Sequence, residues 1–271
     1  MSILEPPVKS LLPELVMAID AAQKAGQAIL KVYSTDFSTK TKDDDSPITE
    51  ADLKSNEIIK KILSKAGHFI LSEEDDDDMS RLQERKLWVV DPLDGTLDFV
   101  NKTGEFTVMI ALVEDGRPVL GVIYWPTQNT MFIAQKGAGA FKFDDETWSK
   151  ISVSNVSDLG EAVAVGSRHH LSDEEKSFLE KLGIRKFSGI GSSLKVGMIS
   201  AGEADAYITT TNKMKEWDSC ASCCIIHEAG GKMTDMLGNE MIYNNEDVGH
   251  QNGLLVTNGR IHQKILDAFE K

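Results

Sequence analysis

The N-terminal part of the chain carries two stretches in which apolar side chains follow a helical spacing. Between residues 11 and 32, apolar residues recur every three or four positions, which predicts an amphipathic helix. A polar loop follows. Thr49 and Asp52 then form the pattern of a capping box, in which two side chains bond the first backbone N–H groups of a helix. We therefore expect a second helix to open here and to end at Gly67.

Two short apolar strands come next, and each runs into acidic residues. Residues 69–71 precede an acidic segment, and residues 88–90 precede Asp91 and Asp94. Pro92 cannot donate a hydrogen bond within a sheet, so the second strand is expected to stop there. Its carboxylates would then lie at the carboxyl end of the strand, which is where ligands bind in open α/β sheets.

The remaining chain changes from strand patterns to an alternation of strands and helices. From residue 106 to residue 143, β segments are separated by turn residues, which predicts an antiparallel meander. Strand and helix patterns then alternate up to a last helix that reaches Phe269. We predict an α/β chain with mixed sheets, divided into an N-terminal α+β lobe (residues 1–150) and a C-terminal α/β lobe (residues 151–271).

Charge and cysteine content narrow the classes of partner and compartment. The chain has 29 basic and 43 acidic residues, and its net charge of -14 argues against a nucleic-acid polymer or an anionic membrane as the main partner. No apolar run approaches the roughly 20 residues that cross a bilayer, and the N-terminus lacks the apolar core of a signal peptide. The three cysteines are clustered and do not form a disulfide framework, which favours a reducing, cytoplasmic compartment.

The segment after the second strand combines residues that suit a metal with residues that suit a phosphate. Asp91 and Asp94 supply two carboxylates from one turn, and hard cations such as Mg²⁺ prefer oxygen ligands. The carbonyl of Leu93 is a third candidate oxygen, and Glu73 is a fourth if the two acidic strands are neighbours. The Gly-Thr pair that follows allows backbone N–H groups to face an anion. The segment therefore predicts a metal site beside a phosphate site.

Each acidic residue also has an ordinary structural interpretation. Asp91 and Asp94 could make only turn contacts after a strand. Asp52 could cap its own helix, and Asp218 could cap a helix that begins at the next residue. Glu73 could belong to a solvated acidic loop.

A second candidate metal site lies in the C-terminal part of the chain. Cys220, Cys223, Cys224 and His227 share one face of a predicted helix, and both residue types are zinc ligands. Four ligands strung along one helix cannot surround a tetrahedral ion, however, and free cysteine is commonly buried. The stripe therefore favours core packing over zinc.

Several segments distributed along the chain match one family signature. They are WVVDPLDGT at 88–96, EWD at 216–218, EAGG at 228–231, SPITEAD at 46–52 and LSEE at 71–74. On these segments the chain resembles the lithium-sensitive, Mg²⁺-dependent phosphatases: inositol monophosphatase, fructose-1,6-bisphosphatase and 3'(2'),5'-bisphosphate nucleotidase. The resemblance implies the layered α-β-α-β-α sandwich of that family.

The same resemblance assigns metal ligands to individual residues. Glu73, Asp91 and the Leu93 carbonyl would hold one Mg²⁺. Asp91, Asp94 and Asp218 would hold a second. Two or three ions per site are implied, and Asp218 would bring the C-terminal lobe to the N-terminal one.

The resemblance also implies the catalytic and phosphate-binding groups. Asp52 and Thr96 would be the pair that activates water, and the N–H groups of Gly95 and Thr96 would bind the phosphate. No covalent phosphoenzyme is needed, because a metal and an activated water suffice for an in-line displacement. Inhibition by Li⁺ follows from the resemblance alone.

Three segments are most similar to the bisphosphate nucleotidase branch: residues 101–112, 167–170 and 191–195. That branch removes the 3'-phosphate of 3'-phosphoadenosine 5'-phosphate and releases AMP. Taken alone, the Gly-Ser-Ser sequence is an ordinary helix cap and the His-His pair an ordinary surface loop. Donors that could bind the second phosphate of this small-molecule substrate are His170, Ser192, Ser193 and Lys195.

The main alternative is an inositol monophosphatase, with or without fructose-1,6-bisphosphatase activity. That branch usually carries an acidic residue shortly before the Trp-Asp pair, where this chain has Thr211. An arginine of several nucleotidases is also missing from this segment, which leaves Lys213 or Lys215 to bind the 5'-phosphate. A catalytically silent binding protein is a further alternative, and the complete set of metal and water-activating residues argues against it. A homodimer is one option for the oligomeric state.

Overall fold

Two mixed β-sheets alternate with three layers of helices. The computed structural model describes residues 6–41, 47–167 and 172–269. The helices are α1 (Pro13–Tyr33), α2 (Glu50–Leu63), α3 (Thr96–Val100), α4 (Asp173–Lys181), α5 (Leu194–Ser200), α6 (Glu216–Glu228) and α7 (His262–Phe269). Within these ranges, no helix is both long enough and apolar enough to pass through a membrane.

The large sheet has seven strands in the order β3-β4-β5-β6-β7-β8-β9, with β3 and β4 parallel and the others antiparallel. From β5 onward it is the predicted antiparallel meander. Its strands are β3 (Phe69–Ser72), β4 (Lys86–Asp94), β5 (Thr107–Glu114), β6 (Arg117–Trp125), β7 (Thr130–Gln135), β8 (Gly139–Asp144) and β9 (Thr147–Ile151). A separate two-stranded sheet precedes it, formed by β1 (Thr39–Thr41) and β2 (Pro47–Thr49).

The small sheet has five strands in the order β11-β10-β12-β14-β13. β10 pairs in parallel with β11 and β12, whereas β14 runs antiparallel to β12 and β13. Its strands are β10 (Val163–Gly166), β11 (Lys186–Gly189), β12 (Ala206–Thr209), β13 (Lys232–Thr234) and β14 (Leu254–Thr257). Both sheets are therefore mixed, as predicted.

Three apolar cores separate the layers. The first lies between the large sheet and helices α1 and α2 and contains Leu15, Ile59 and Trp88. The second fills the space between the two sheets, where α5 and α6 pack. The third joins the outer face of the small sheet to α4 and α7 through residues such as Leu179 and Ile265. This alternation confirms the α-β-α-β-α sandwich.

The division into two lobes at residue 150 stays a prediction. β9 ends at Ile151, close to the expected boundary. However, α6 packs directly against β4, β5 and β6, and the second core takes residues from both sides of residue 150.

The starts of two helices show how local side chains set their position. The capping box of α2 is present: the Thr49 N–H donates to Asp52 Oδ2 at 2.8 Å, and the Ala51 N–H donates to Thr49 Oγ1 at 3.1 Å. The predicted start of α6 after Asp218 was wrong, because that helix begins at Glu216. Asp218 lies inside the first turn, where its carboxylate accepts the Lys215 N–H at 2.6 Å.

Candidate metal and phosphate site

The end of β4 carries two carboxylates on one face of the large sheet. Asp91 lies opposite Met109 of β5, and Asp94 lies opposite Thr107. Met109 and Thr107 are two positions apart, so their side chains share a face, and the two aspartates opposite them share it too. This requires one extra residue in β4, a β-bulge, because residues three apart in a regular strand point to opposite faces.

Pro92 lies within this bulge. Its carbonyl accepts the Ser55 hydroxyl at 2.6 Å, and the Leu93 N–H donates to Asp91 Oδ1 at 3.0 Å. The prediction that the strand stops at Pro92 was therefore wrong. β4 continues to Asp94, because a bulge tolerates a residue that cannot donate a ladder hydrogen bond.

Asp218 of α6 joins the two carboxylates of β4. Carboxylate oxygens of Asp91, Asp94 and Asp218 all lie within 4.8 Å of one another. Burial, reinforced by repulsion from Glu73 and Asp94, raises the pKa of Asp91 well above its ordinary value, and burial with repulsion from Asp94 does the same to Asp218. Three partly or fully buried carboxylates this close cannot all stay ionised without a positive charge among them. The donor set therefore fits a divalent cation that prefers oxygen ligands.

Glu73 follows β3, the parallel neighbour of β4. Ser72 lies opposite Val90, and the Glu73 N–H donates to the Val90 carbonyl at 3.2 Å. The condition under which Glu73 is a candidate ligand, that the two acid-ending strands are neighbours, is met. Glu73 also lines the same cavity as Asp94, although its carboxylate lies outside the tight three-aspartate cluster.

The two carboxylate oxygens of Asp52 make different contacts. Oδ2 accepts the N–H and the hydroxyl of Thr49, at 2.8 and 2.6 Å, and so caps α2. Oδ1 accepts the Thr96 hydroxyl at 3.1 Å, and that hydroxyl also lies 3.2 Å from the Leu93 carbonyl. Burial raises the pKa of Asp52. The capping and the catalytic interpretation of Asp52 are thus compatible.

Gly95 allows two backbone segments to approach each other closely. Its φ of +90° belongs to the left-handed region, and a Cβ at this position would lie 3.1 Å from both the Glu105 carbonyl and the Ser192 Cβ. Any other residue would be strained and crowded here. The glycine thereby brings Thr96 close to the Gly-Ser-Ser segment.

Ser193 connects that segment to the metal-binding candidates. Its N–H donates to Asp94 Oδ2 at 2.5 Å, and its hydroxyl lies 2.7 Å from that of Thr107. The Thr107 hydroxyl also donates to Asp94 Oδ2, at 3.3 Å. Asp94 is therefore held by groups from β5 and from the turn before α5.

Lys195 is a buried cation near the carboxylates. Its Nζ donates to the Ser192 carbonyl at 2.5 Å and lies 5.3 Å from the centre of the Tyr207 ring. Burial raises the pKa of Asp94, and the charge of Lys195 is the largest effect opposing this shift. Lys195 therefore contributes to the electrostatics of the aspartate cluster as well as to the cavity wall.

These groups surround a cavity of about 350 Å³. The Ser192 hydroxyl is buried and has no hydrogen-bond partner among the described residues. Lys213 and Thr211 also line the cavity, whereas Lys215 directly precedes α6. His170 lies outside the described residues, so its role stays a prediction. The predicted site residues on the cavity wall are Glu73, Asp94, Gly95, Thr96, Ser192, Ser193, Lys195 and Asp218.

Two residues of α2 that hold the turns in place were not identified from the sequence. Ser55 bonds the Pro92 carbonyl, as described above. Asn56 accepts the Ser72 hydroxyl at 2.8 Å and donates to Asp75 at 3.0 Å. Both residues lie three or four positions after Asp52, which is the spacing of one helix face. That periodicity is the signal that could have identified them.

The cysteine stripe belongs to the core, as favoured above. Cys220, Cys223 and Cys224 are free and buried in the second core. His227 lies 3.8 Å from the Cys223 sulfur and accepts the Met233 N–H at 3.3 Å. Burial raises the pKa of each of the three thiols, as expected for neutral side chains that pack within an apolar core.

Comparison with known proteins assigns a family. The inositol monophosphatase family model matches residues 11–271. Relatives named 3'(2'),5'-bisphosphate nucleotidase CysQ, from Salmonella typhimurium and Shigella flexneri, are 37% and 36% identical over 227 residues, which is 82% of this chain and 90% of each relative.

Solved structures agree with this assignment. CysQ from Bacteroides thetaiotaomicron, described as a bacterial member of the inositol monophosphatase family, is 33% identical with a TM-score of 0.77 and covers 90% of this chain and 97% of its own. The extragenic suppressor protein suhB from Bartonella henselae is 28% identical with a TM-score of 0.81 and covers 95% and 98%. The chain belongs to the inositol monophosphatase family.

Proposed function

We propose that this protein is a 3'(2'),5'-bisphosphate nucleotidase, a phosphomonoesterase that hydrolyses the 3'-phosphate of 3'-phosphoadenosine 5'-phosphate to AMP and phosphate. The observation that carries the proposal is the partly buried cluster of Asp91, Asp94 and Asp218 at the edge of a cavity that also contains Lys195. The CysQ relatives support this choice of substrate.

Mg²⁺ is the proposed cofactor, with two or three ions per site. The ligands would be Glu73, Asp91, the Leu93 carbonyl, Asp94 and Asp218. When bound, Mg²⁺ supplies positive charge to the phosphate oxygens and lowers the pKa of water. The predicted sensitivity to Li⁺ and the cytoplasmic location stay part of the proposal, and a homodimer stays one option.

Thr96 and Asp52 would orient and deprotonate the attacking water. The Thr96 hydroxyl donates its proton to Asp52 Oδ1, so its oxygen can accept a hydrogen bond from a water molecule. Thr49 holds Asp52 Oδ2 from the other side, which fixes the carboxylate. Burial raises the pKa of Asp52 toward the operating pH, and this suits a group that accepts a proton during the reaction.

Phosphate binding would use groups on both sides of the cavity. The backbone N–H groups of Gly95 and Thr96 would bind the phosphate that is cleaved. Ser192, Ser193 and Lys195 would bind the second phosphate, because a buried hydroxyl without a partner and a buried cation are both satisfied by an anion.

The test is phosphate release from 3'-phosphoadenosine 5'-phosphate, inositol 1-phosphate and fructose 1,6-bisphosphate, measured side by side in Mg²⁺ with and without a chelator. We expect the largest kcat/KM for the nucleotide and no release after chelation. A preference for inositol 1-phosphate would move the assignment to the inositol monophosphatase branch. No release from any of the three would support a silent binding protein.

A further inference from the structure

The candidate metal ligands lie on two separate supports. Asp91 and Asp94 belong to β4, whereas Asp218 belongs to the first turn of α6. Apolar packing between the sheets holds the body of α6. The first turn borders the cavity, and besides the packing of Trp217 against the core it is held by polar contacts.

Glu216 is one polar anchor of this turn, beside Ser219, whose hydroxyl lies 2.6 Å from His250 Nε2. The Glu216 side chain is 1% exposed, and it lies two residues before Asp218. One carboxylate oxygen accepts the Asn244 N–H at 2.7 Å, and the other accepts the backbone and side-chain N–H groups of Asn245, both at 2.8 Å. The Glu216 N–H in turn donates to the Val248 carbonyl at 2.8 Å. The first turn of α6 is thus fixed to the segment around residues 244–248.

Arg81 holds the same segment from the other side. Its side chain is 0% exposed, and its Nη1 donates to the Asn244 side chain at 2.9 Å and to the Asn245 carbonyl at 2.8 Å. The Asn244 side chain returns a hydrogen bond to the Arg81 carbonyl at 3.0 Å. Burying an arginine charge costs free energy of folding. Here the planar guanidinium group fixes two consecutive residues, which a more flexible cation could not do.

Arg81 is also linked to the acidic loop that begins with Glu73. Its Nε donates to Asp77 Oδ2 at 2.7 Å. Within the same loop, Asp75 is held by Asn56 at 3.0 Å and by Lys60 at 2.7 Å. A continuous series of hydrogen bonds therefore runs from the Glu73 loop through Arg81 to the turn that carries Asp218.

We propose that Arg81 is a positioning residue for the metal site: through Asn244, Asn245 and Glu216 it keeps Asp218 in register with the ligands of β3 and β4. The inference rests on the proposed metal site. Arg81 is not among the described residues that line the cavity, and its contribution is to restrict movement of the first turn of α6.

The experiment is calorimetric titration of the full-length chain with Mg²⁺, comparing the wild type with Arg81→Lys. Lysine keeps the charge but lacks the planar fork that reaches Asp77 and the 244–245 segment together. We expect Mg²⁺ binding to weaken roughly 10- to 100-fold, the range typical when a group that orients a metal ligand is lost. In the phosphatase assay, kcat should return to the wild-type value at saturating Mg²⁺.

Arg117→Lys is the control. Arg117 of β6 contacts the neighbouring segment, donating to the Met241 carbonyl at 3.0 Å and to Glu240 at 2.6 Å, but these contacts do not include Glu216. Its Mg²⁺ affinity should equal that of the wild type. Unchanged affinity in Arg81→Lys, or an equal loss in Arg117→Lys, would overturn the proposal.

A second variant keeps the test decisive if Arg81→Lys does not fold. Asn245→Ala removes one of the three hydrogen bonds to Glu216 while leaving the Arg81 contact with the Asn245 carbonyl intact. It should weaken Mg²⁺ binding in the same direction by a smaller factor, and wild-type affinity in this variant would overturn the proposal. Failure of the proposed function is distinguishable, because it would appear as a wild-type protein that binds Mg²⁺ and releases no phosphate.

Discussion

The two sides of the cavity differ in how their polar groups are satisfied. On the side formed by α2 and β4, side chains bond one another: Ser55 holds the Pro92 carbonyl, and Thr96 bonds Asp52. On the side formed by the Gly-Ser-Ser segment, the Ser192 hydroxyl has no partner among the described residues, and the Lys195 Nζ bonds only a carbonyl of its own segment in the contacts described above.

The difference indicates a division of labour within the proposed active site. Catalysis gains most from groups that are already in place before the substrate arrives, because no reorganisation is then needed during the reaction. Recognition gains from polar groups that a correct ligand satisfies and a wrong ligand leaves unpaired. The side formed by α2 and β4 has the prearranged groups that favour catalysis. The side formed by the Gly-Ser-Ser segment has the groups that a ligand would satisfy.

Asp94 belongs to both sides, so its replacement should have the largest effect. It shares the aspartate cluster with Asp91 and accepts the Ser193 N–H. In Asp94→Asn we expect turnover to fall at least about 10⁴-fold, because loss of a metal ligand removes several kcal/mol of transition-state stabilisation. The fold should persist, since one of several repelling charges is removed. Circular dichroism and phosphate release would show this, with the surface variant Asp144→Asn as control. Wild-type turnover in Mg²⁺ would contradict the metal assignment.

Thr96→Val tests only the side of the cavity formed by α2 and β4. Valine has nearly the shape of threonine but cannot donate to Asp52, so we expect kcat to fall by roughly 10²- to 10⁴-fold, the usual range for losing general acid–base assistance. KM and Mg²⁺ affinity should change little. Steady-state kinetics at saturating Mg²⁺ would measure the effect, and Thr96→Ser, which keeps the hydroxyl, should retain activity. An active valine variant would exclude Thr96 from water activation.

Lys195→Ala tests the side formed by the Gly-Ser-Ser segment and should have the smallest effect on phosphate release. Loss of a charged hydrogen bond to phosphate costs about 1.5 to 3 kcal/mol, so KM for the nucleotide should rise about tenfold or more, and less for inositol 1-phosphate. Lys186→Ala, at an exposed position of the edge strand β11, is the control. An equal increase in KM for both substrates would instead indicate that Lys195 acts on the metal site, through the effect of its charge on Asp94.

The fold and the acidic turns after β3 and within β4 could be predicted because short-range signals determine them. Apolar periodicity identified the helices, and the acid-ending strands located Glu73 and Asp91 at one edge of the sheet. The acidic residues at the ends of β3 and β4 could therefore be identified from the sequence alone. Asp218 was added to this cluster only through a family signature whose segments are distributed along the chain.

Contacts between distant segments could not be predicted in the same way. The hydrogen bonds of Arg81 to Asn244 and Asn245 join residues more than 160 positions apart, and no local pattern reports them. The bulge at Pro92 was missed for a related reason. A proline indicates that a regular ladder is interrupted, but whether the strand ends or resumes depends on the partner strand β5.

The β-bulge at Pro92 interrupts the large sheet, yet the site depends on it. If one residue were deleted between Asp91 and Asp94, the ladder could run without interruption and the sheet would gain regularity. Asp94 would then lie two positions after Asp91, and the two carboxylates would still share a face of the strand. The deletion would instead remove the irregular backbone whose Pro92 and Leu93 carbonyls accept the Ser55 and Thr96 hydroxyls, so the extra residue lets the end of β4 supply backbone oxygens as well as carboxylates.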